Sequence, residues 1–262
     1  MNYSVSGVKF RYREKPVLDG VDLDIQQGEV FGILGPNGCG KTTLLKILNR
    51  NLTPHEGAVM IDGTSLSDIS KKEIARNIAV VPQGNEIKFS FTVEDIVSMG
   101  RMPYKRQFEG LNSDDDRIVE EALASTGLTE MKDKPINEMS GGERQRVIIA
   151  KALVQSPRIL LMDEPTNHLD VNMQFEVLDL VRNLSRERGL TVIIVSHDLP
   201  MAARYCDRVA MIKDHRVFAM GDVESVLTEE NIREVFNVEG TLATDDRTGL
   251  RTVILHGVAS GR

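Results

Sequence analysis

The sequence is poor in residues that could staple or metallate it. Among 262 residues there are two cysteines, Cys39 and Cys206, too few for a disulfide framework, and the five histidines show no metal-ligand spacing. Long hydrophobic runs are absent too. Residues 159–162 and 192–195 are strand-length, far short of the about 18–20 apolar residues that cross a bilayer. The start, Met1-Asn-Tyr-Ser-Val-Ser-Gly-Val8, has no charged region followed by an apolar stretch, so no secretory signal is visible. No block of lysine and arginine interrupts a net charge of −7, which argues against a nucleic-acid partner. These absences create the expectation of a soluble, cytosolic chain whose dealings with a membrane pass through another subunit. What is present suffices for folding: 41% hydrophobic residues and no low-complexity tract, in a length that suits one large domain or two small ones.

Residues Gly35-Pro-Asn-Gly-Cys-Gly-Lys-Thr42 fit the pattern G-x-x-x-x-G-K-[ST], with the apolar run 30–34 before it and a helical run, 43–48, after it. The chemistry dictates the residue types. Gly35, Gly38 and Gly40 let the backbone curl until successive N–H groups point at phosphate oxygens. A helix starting near Gly40 aims its positive end at the same anion. Lys41 brings a charge to the β- and γ-phosphates, and the Thr42 hydroxyl is a ligand for Mg²⁺. A chance glycine-rich turn would not come with both the strand and the helix, so the stretch predicts a nucleotide site.

The rest of the chain reads as α/β. Val5, Val8 and Phe10, then Val21, Leu23 and Ile25, alternate as strands, with Asp19-Gly20 and Gln27-Gly28 expected as turns, giving an antiparallel sheet that leads into the loop strand. Tyr12 falls in a polar turn, where it could either stack on a purine or cover the sheet edge. Residues 57–63 read as a strand closed by Asp62-Gly63, and 71–76 as a short helix. Residues 78–82 form a strand with Gln83 directly after it, where loops of a parallel sheet meet ligands. From Glu94 to about Val154 the period is helical, and the run Asn112-Ser-Asp-Asp-Asp116 reads as a solvated helix start. Ser140-Gly-Gly-Glu143 is a capping box with open N–H groups, either an ordinary helix start or a second anion site. Residues 159–162 run as a buried strand into Asp163, suited to Mg²⁺, and Glu164, suited to polarising a water. A second such strand, 191–196, ends at His197. Strands at 209–212 and 217–220, helical residues 222–236 and a turn at 245–249 between two closing strands complete the reading.

These motifs in this order resemble the ATP-binding-cassette family, in its single-cassette transporter subunits, over essentially the whole chain. The resemblance implies a P-loop (RecA-like) α/β core with an N-terminal antiparallel β subdomain and an inserted α-helical subdomain. Residues 1–84 and 158–222 would form the core, 85–157 the helical subdomain and 223–262 a C-terminal extension. It implies ATP and Mg²⁺ as ligands. Gly35, Pro36, Asn37, Gly38, Cys39, Gly40, Lys41, Thr42 and Thr43 are similar to the Walker A loop and the start of its helix, and Tyr12 to an adenine platform. Ser140, Gly141 and Gly142 are similar to the signature motif, implied to hold the ATP of a second copy in a head-to-tail dimer with two ATPs at its interface. Asp170 falls at the position of the D-loop and counts among the implied nucleotide-binding residues. Gln83 matches the Q-loop and Asp163 the Walker B aspartate, which with Thr42 would hold the metal. Glu164, His197, Gln83 and Lys41 are the implied catalytic set.

Two positions depart from the commonest pattern. Met139 and Glu143 stand where leucine and glutamine are usual, and a carboxylate near phosphate repels it unless Glu143 folds back onto Ser140 N–H or pairs with Arg146. Cys39 replaces serine, and a thiol at a helix N-terminus beside Lys41 is expected to be reactive and covered by bound ATP. Residues 91–104, Phe-Thr-Val-Glu-Asp-Ile-Val-Ser-Met-Gly-Arg-Met-Pro-Tyr, and 140–147, with Pro165–Asp170, resemble importers of iron–siderophore complexes, haem and cobalamin. The implied partners are membrane permease subunits and, indirectly, a substrate-binding protein, with the chain peripheral on the inner membrane face. Ile87, Phe89, Phe91 and Met99 are more apolar than an exposed loop needs: either they pack inside the helical subdomain or, as the resemblance implies, they form a groove for a short helix of a membrane partner. The rival readings are a soluble cassette ATPase of DNA repair or translation, or an importer of another substrate class. A phosphate-loop kinase or GTPase would leave Ser140–Glu143 without a purpose.

Overall fold

A computed structural model describes residues 1–84, 90–105 and 110–259. Contacts divide the chain into two compact units, one of Met1–Ile69 with the stretch from Thr191 onward, the other of Ser70–Leu190.

The first unit opens with β1 (Tyr3–Tyr12) and β2 (Lys15–Ile25), an antiparallel pair, then β3 (Val30–Leu34), α1 (Lys41–Leu48), β4 (Glu56–Ile61) and the two-residue β5 (Thr64–Ser65). Tyr3, Val5, Val8 and Phe10 of β1 and Leu18, Val21, Leu23 and Ile25 of β2 are buried, the period-two pattern of a half-buried sheet. Asp19-Gly20 is not the turn the sequence suggests. Lys9 pairs with Asp19 and Val8 with Val21, so Gly20, at φ 78°, is the extra residue of a bulge inside a continuous strand. Apolar alternation persists on both sides of it, and cross-strand burial outweighs local turn preference. The hairpin instead reverses at Arg13-Glu14, which puts Tyr12 at the end of β1. The Gln27-Gly28 turn is where expected, with the Gly28 N–H donating to Thr191 Oγ1 at 2.9 Å.

The second unit contains α2 (Lys71–Asn77), β6 (Ile78–Val81), α3 (Val93–Ser98), a 3-10 turn (Met99–Tyr104), α4 (Ser113–Ser125), α5 (Gly141–Leu153), β7 (Ile159–Asp163) and α6 (Val171–Arg188). β6 and β7 pair in parallel, and all five residues of β7 are buried. The helical stretch expected from Glu94 to Val154 is present, and its helices begin on side-chain caps: Thr92 for α3, Asn112 for α4 and Ser140 for α5, each a reciprocal capping box.

The chain then returns to the first unit with β8 (Thr191–Ser196), α7 (Leu199–Tyr205), β9 (Arg208–Lys213) and β10 (Arg216–Asp222). It closes with α8 (Val223–Val226), α9 (Glu229–Phe236) and the hairpin β11 (Val238–Thr244) and β12 (Arg251–Val258). β3 lies between β8 and β9, parallel to both, and β10 runs antiparallel beside β9. The expected turn at 245–249 is held by Asp245 Oδ1, which accepts the N–H groups of Arg247 and Thr248. Among the described residues no helix is long and apolar enough to cross a membrane.

Candidate functional site

In the first unit the phosphate loop follows β3, whose flanking partners make it the buried centre of a parallel set. Leu34 pairs with Ser196, so Gly35 and His197 leave adjacent strands at the same sheet edge, with the strands about 4.8 Å apart. His197 is exposed there. Gly40 takes φ 108°, and a Cβ on it would come within 2.5 Å of the Val17 carbonyl oxygen. A Cβ on Gly35 would come within 2.5 Å of the Ile212 carbonyl oxygen, so both positions accept glycine alone. Gly40 provides no side-chain cap to α1, which starts directly at Lys41. An uncapped helix N-terminus at the end of a curled loop is a donor set that fits an anion. Lys41 is buried, and its Nζ donates to the carbonyls of Gly35 (2.7 Å) and Pro36 (3.1 Å), folding the charge across its own loop. Thr42 and Thr43 form the first turn of α1, while Asn37 and Gly38 are exposed at the loop tip. Tyr12 is 47% exposed and rests edge-on against Phe10, ring centroids 4.9 Å apart, leaving aromatic surface open to solvent.

The second unit repeats the strand-end logic. Val81 pairs with Met162, so Pro82-Gln83 and Asp163-Glu164 leave β6 and β7 at one edge. Gln83 is exposed, whereas Asp163 and Glu164 are buried. Glu164 adopts φ 48°, a left-handed conformation rare for a side chain of its size, which costs of order 1–3 kcal/mol and aims the residue out of the strand line. A turn follows, with the Asn167 N–H donating to the Glu164 carbonyl at 3.2 Å, and it delivers Asp170 to the N-cap of α6. Asp170 is exposed and its side chain makes no cap bond. α6 also presses on the start of α5. A Cβ on Gly142 would sit 2.2 Å from Met173 Sδ, and one on Gly141 would touch Leu169 at 3.4 Å. Gly142 is therefore packed, while Ser140 and Gly141 remain exposed.

Glu143 takes the first of its two expected courses. Its Oε2 accepts the Ser140 N–H at 2.7 Å, and that backbone bond, against a smaller cost of burial, holds its carboxyl below the usual range. Lys134 stands 3.7 Å away, and Arg146 pairs with Glu176 instead. Cys39 departs from expectation: it is 6% exposed and turned inward, its Sγ 2.7 Å from where a Gly35 Cβ would lie. Loop curling drives the small polarisable side chain under the loop rather than into its mouth. A maleimide should accordingly label native Cys39 slowly, with Mg-ATP adding little protection; fast labelling that ATP abolishes would put the thiol back at the surface.

The run Asn112–Asp116 also needs correction. Asp114 and Asp116 are exposed, but Asp115 is 2% exposed, paired with Arg101 and Lys105. Sequence pattern missed this triad, since 10 and 14 residues of spacing carry no local signal. Ile87 and Phe89, expected in a groove, lie outside the described residues. Phe91 and Met99 do line one, with Met102 and Leu111 for apolar walls, Glu94 and Lys105 among its charges, and a volume of about 800 Å³.

Residues 18–167 match the ABC transporter family. The petrobactin import ATP-binding protein FpuD of Bacillus anthracis is 39% identical over 246 residues, spanning 94% of this chain and 90% of its own. One solved structure, an inward-facing ABC transporter ascribed to the metal-chelate type, is similar over 97% of both chains with a TM-score of 0.85 and 26% identity. The dimeric ATP-binding cassette MJ0796, in a post-hydrolysis state bound to ADP and Pi, is 30% identical with a TM-score of 0.71 over 84% of this chain and 98% of that one. The fold is thus the phosphate-loop α/β type with an antiparallel β subdomain and inserted helices.

Proposed function

This chain belongs to the ABC transporter family, and from that premise we propose that it is the ATP-hydrolysing subunit energising a membrane importer of metal chelates, iron–siderophores foremost, with haem and cobalamin-type cargo the neighbouring choices. The observation that carries the reading is its likeness, across nine-tenths of both chains, to an ATP-binding protein of petrobactin import.

Each candidate residue then has a task. The loop of residues 35–43, through its backbone N–H groups other than at Pro36, and the Lys41 ammonium bind the phosphates, and Tyr12 offers a ring face to adenine. Ser140, Gly141, Gly142 and Asp170 face the nucleotide held by a second copy, head to tail. The exposed Ser140-Gly141 turn suits that role, since it is capped yet turned to solvent. Thr42, Gln83 and Asp163 would hold Mg²⁺ through their side-chain oxygens, and the metal would supply positive charge to offset that of the phosphates. Glu164 polarises the attacking water, and His197 contacts the γ-phosphate. In this scheme residues 85–157 are the helical subdomain, 223–262 the C-terminal extension, and the chain works at the inner face of the membrane through its permease partners.

Purification from native membranes in mild detergent tests the class: integral-membrane proteins should accompany the chain, with ATPase activity. A chain that came away alone, or with ribosomes or repair proteins, would be a soluble cassette ATPase.

The groove around Phe91 and Met102 suits a short apolar helix of the permease. Phe91 is 39% exposed, so Phe91→Asp should cost the isolated chain far less than the about 2–5 kcal/mol of a core truncation while weakening the membrane complex. A thermal-stability loss of core size would show that Phe91 is packing, not docking.

A further inference from the structure

The wall of that groove is bonded to the helix that presents Ser140. Arg101 lies in the 3-10 turn Met99–Tyr104, and its buried guanidinium makes two bonds in different directions. Nε donates to Asp115 Oδ1 at 2.8 Å, in the first turn of α4, and Nη1 donates to the Val154 carbonyl at 2.7 Å, the C-cap of α5. Tyr104 lies beneath the same guanidinium, ring centroid 3.9 Å from Cζ, with Arg76 at 4.8 Å, and its hydroxyl donates to the Gln155 carbonyl at 2.8 Å. At Gly100 there is room for no side chain, since a Cβ would sit 2.1 Å from the Lys151 carbonyl oxygen. The turn that carries groove residues Met99 and Met102 is thus held against residues 151, 154 and 155, the C-terminal end of α5. Ser140 is the other end, about 20 Å along a 13-residue helix.

Stability alone does not account for this cluster. Replacing a buried ion pair by apolar side chains is commonly neutral or stabilising, so three buried charges are a poor way to hold helices together. A planar guanidinium with two fixed bonds does something apolar contact cannot: it sets distance and direction between two elements. Burial pushes the Asp115 carboxyl up, but hydrogen bonds from Lys105 and Arg101 outweigh it and hold it down at about 2, so the acceptor stays charged.

We propose that Arg101 is a positioning residue for ATP hydrolysis, tying the groove wall to the far end of α5 so that a displacement of the wall moves the Ser140 turn. The inference rests on the assignments of the groove and of Ser140 made above, and adds the residue that joins them. Because α5 is one continuous helix from Gly141 to Leu153, a shift at its Val154 end is carried along its axis to the Ser140 turn, where it acts against the packing of Gly142 on Met173.

The test uses the full chain with a probe in the groove. Met102 is 69% exposed, and Met102→Cys can carry a bulky maleimide while the native cysteines stay buried. Labelling should change hydrogen exchange at the amides of residues 141–145 without ATP, and should shift kcat by up to roughly 10²-fold, the scale of a misplacement of about 1 Å, while KM for ATP holds. Arg101→Met should abolish both responses. Arg101→Lys guards against a merely unfolded variant: it keeps a charge beside Asp115 and is expected to hold near-parental Tm. It cannot fork to Asp115 and Val154 together, so it too should lose the response. Responses that persist in Arg101→Lys, or none in the parent, overturn the proposal. The exchange measurement needs neither permease nor nucleotide. A coupled response together with a chain that co-purifies with no integral-membrane protein would overturn the importer reading alone, whereas co-purification with no coupled response would overturn this proposal alone.

Discussion

Glu164→Gln is expected to keep ATP binding and to lose roughly 10²–10⁴-fold in turnover, the usual weight of a general base. The residue is 8% exposed and held at φ 48°, so the side chain is set by the turn after β7 and not by its own rotamer choice. Glutamine has the same shape and preserves that setting. It lacks the second acceptor oxygen and the negative charge needed to draw a proton from water. Bound nucleotide then has no route to hydrolysis, and the variant should accumulate as an ATP-bound dimer in size-exclusion chromatography. Turnover close to the parent would remove Glu164 from the role. A variant that lost ATP affinity in step with turnover would instead mark it as a binding group.

Lys41→Ala should fail one step earlier. The ammonium is buried and pinned by two backbone carbonyls of its own loop, so it is already desolvated before phosphate arrives. Truncating one partner of a buried charge pair costs about 2–5 kcal/mol, which is roughly 30- to 4,000-fold in Kd for ATP. The two variants separate cleanly in a thermal-shift assay, because a ligand stabilises only what it binds. Mg-ATP should raise the Tm of Glu164→Gln as it does the parent and leave that of Lys41→Ala unmoved. An equal shift in both would place the phosphate elsewhere than this loop.

Much of the candidate site was legible because its parts are local. A curled loop needs glycines at short fixed spacing, a capping box needs Ser140 and Glu143 three apart, and a buried strand ending in carboxylates announces itself over six residues. These patterns were enough to put Gly35 and His197, or Gln83 and Asp163, at strand ends; pairing of Leu34 with Ser196 and of Val81 with Met162 put each couple at one edge. Local preference failed where a distant partner competed with it. Asp19-Gly20 reads as a turn from its own two residues, yet β1 supplies partners on both sides and the strand runs on through a bulge. Asp115 reads as one of three solvated acids, and Arg101, itself bonded to the end of α5, and Lys105 pair with it where it is buried. Cys39 reads as a mouth-lining thiol until the curl of the loop turns it under Gly35. The identity of the chemical groups and the period of the elements that carry them can be read from the chain alone, since both are encoded within one turn or one strand. Which of those groups are buried, the left-handed backbone at Glu164 and the two partners of Arg101 come only with the folded structure, because they depend on contacts between residues far apart in the chain.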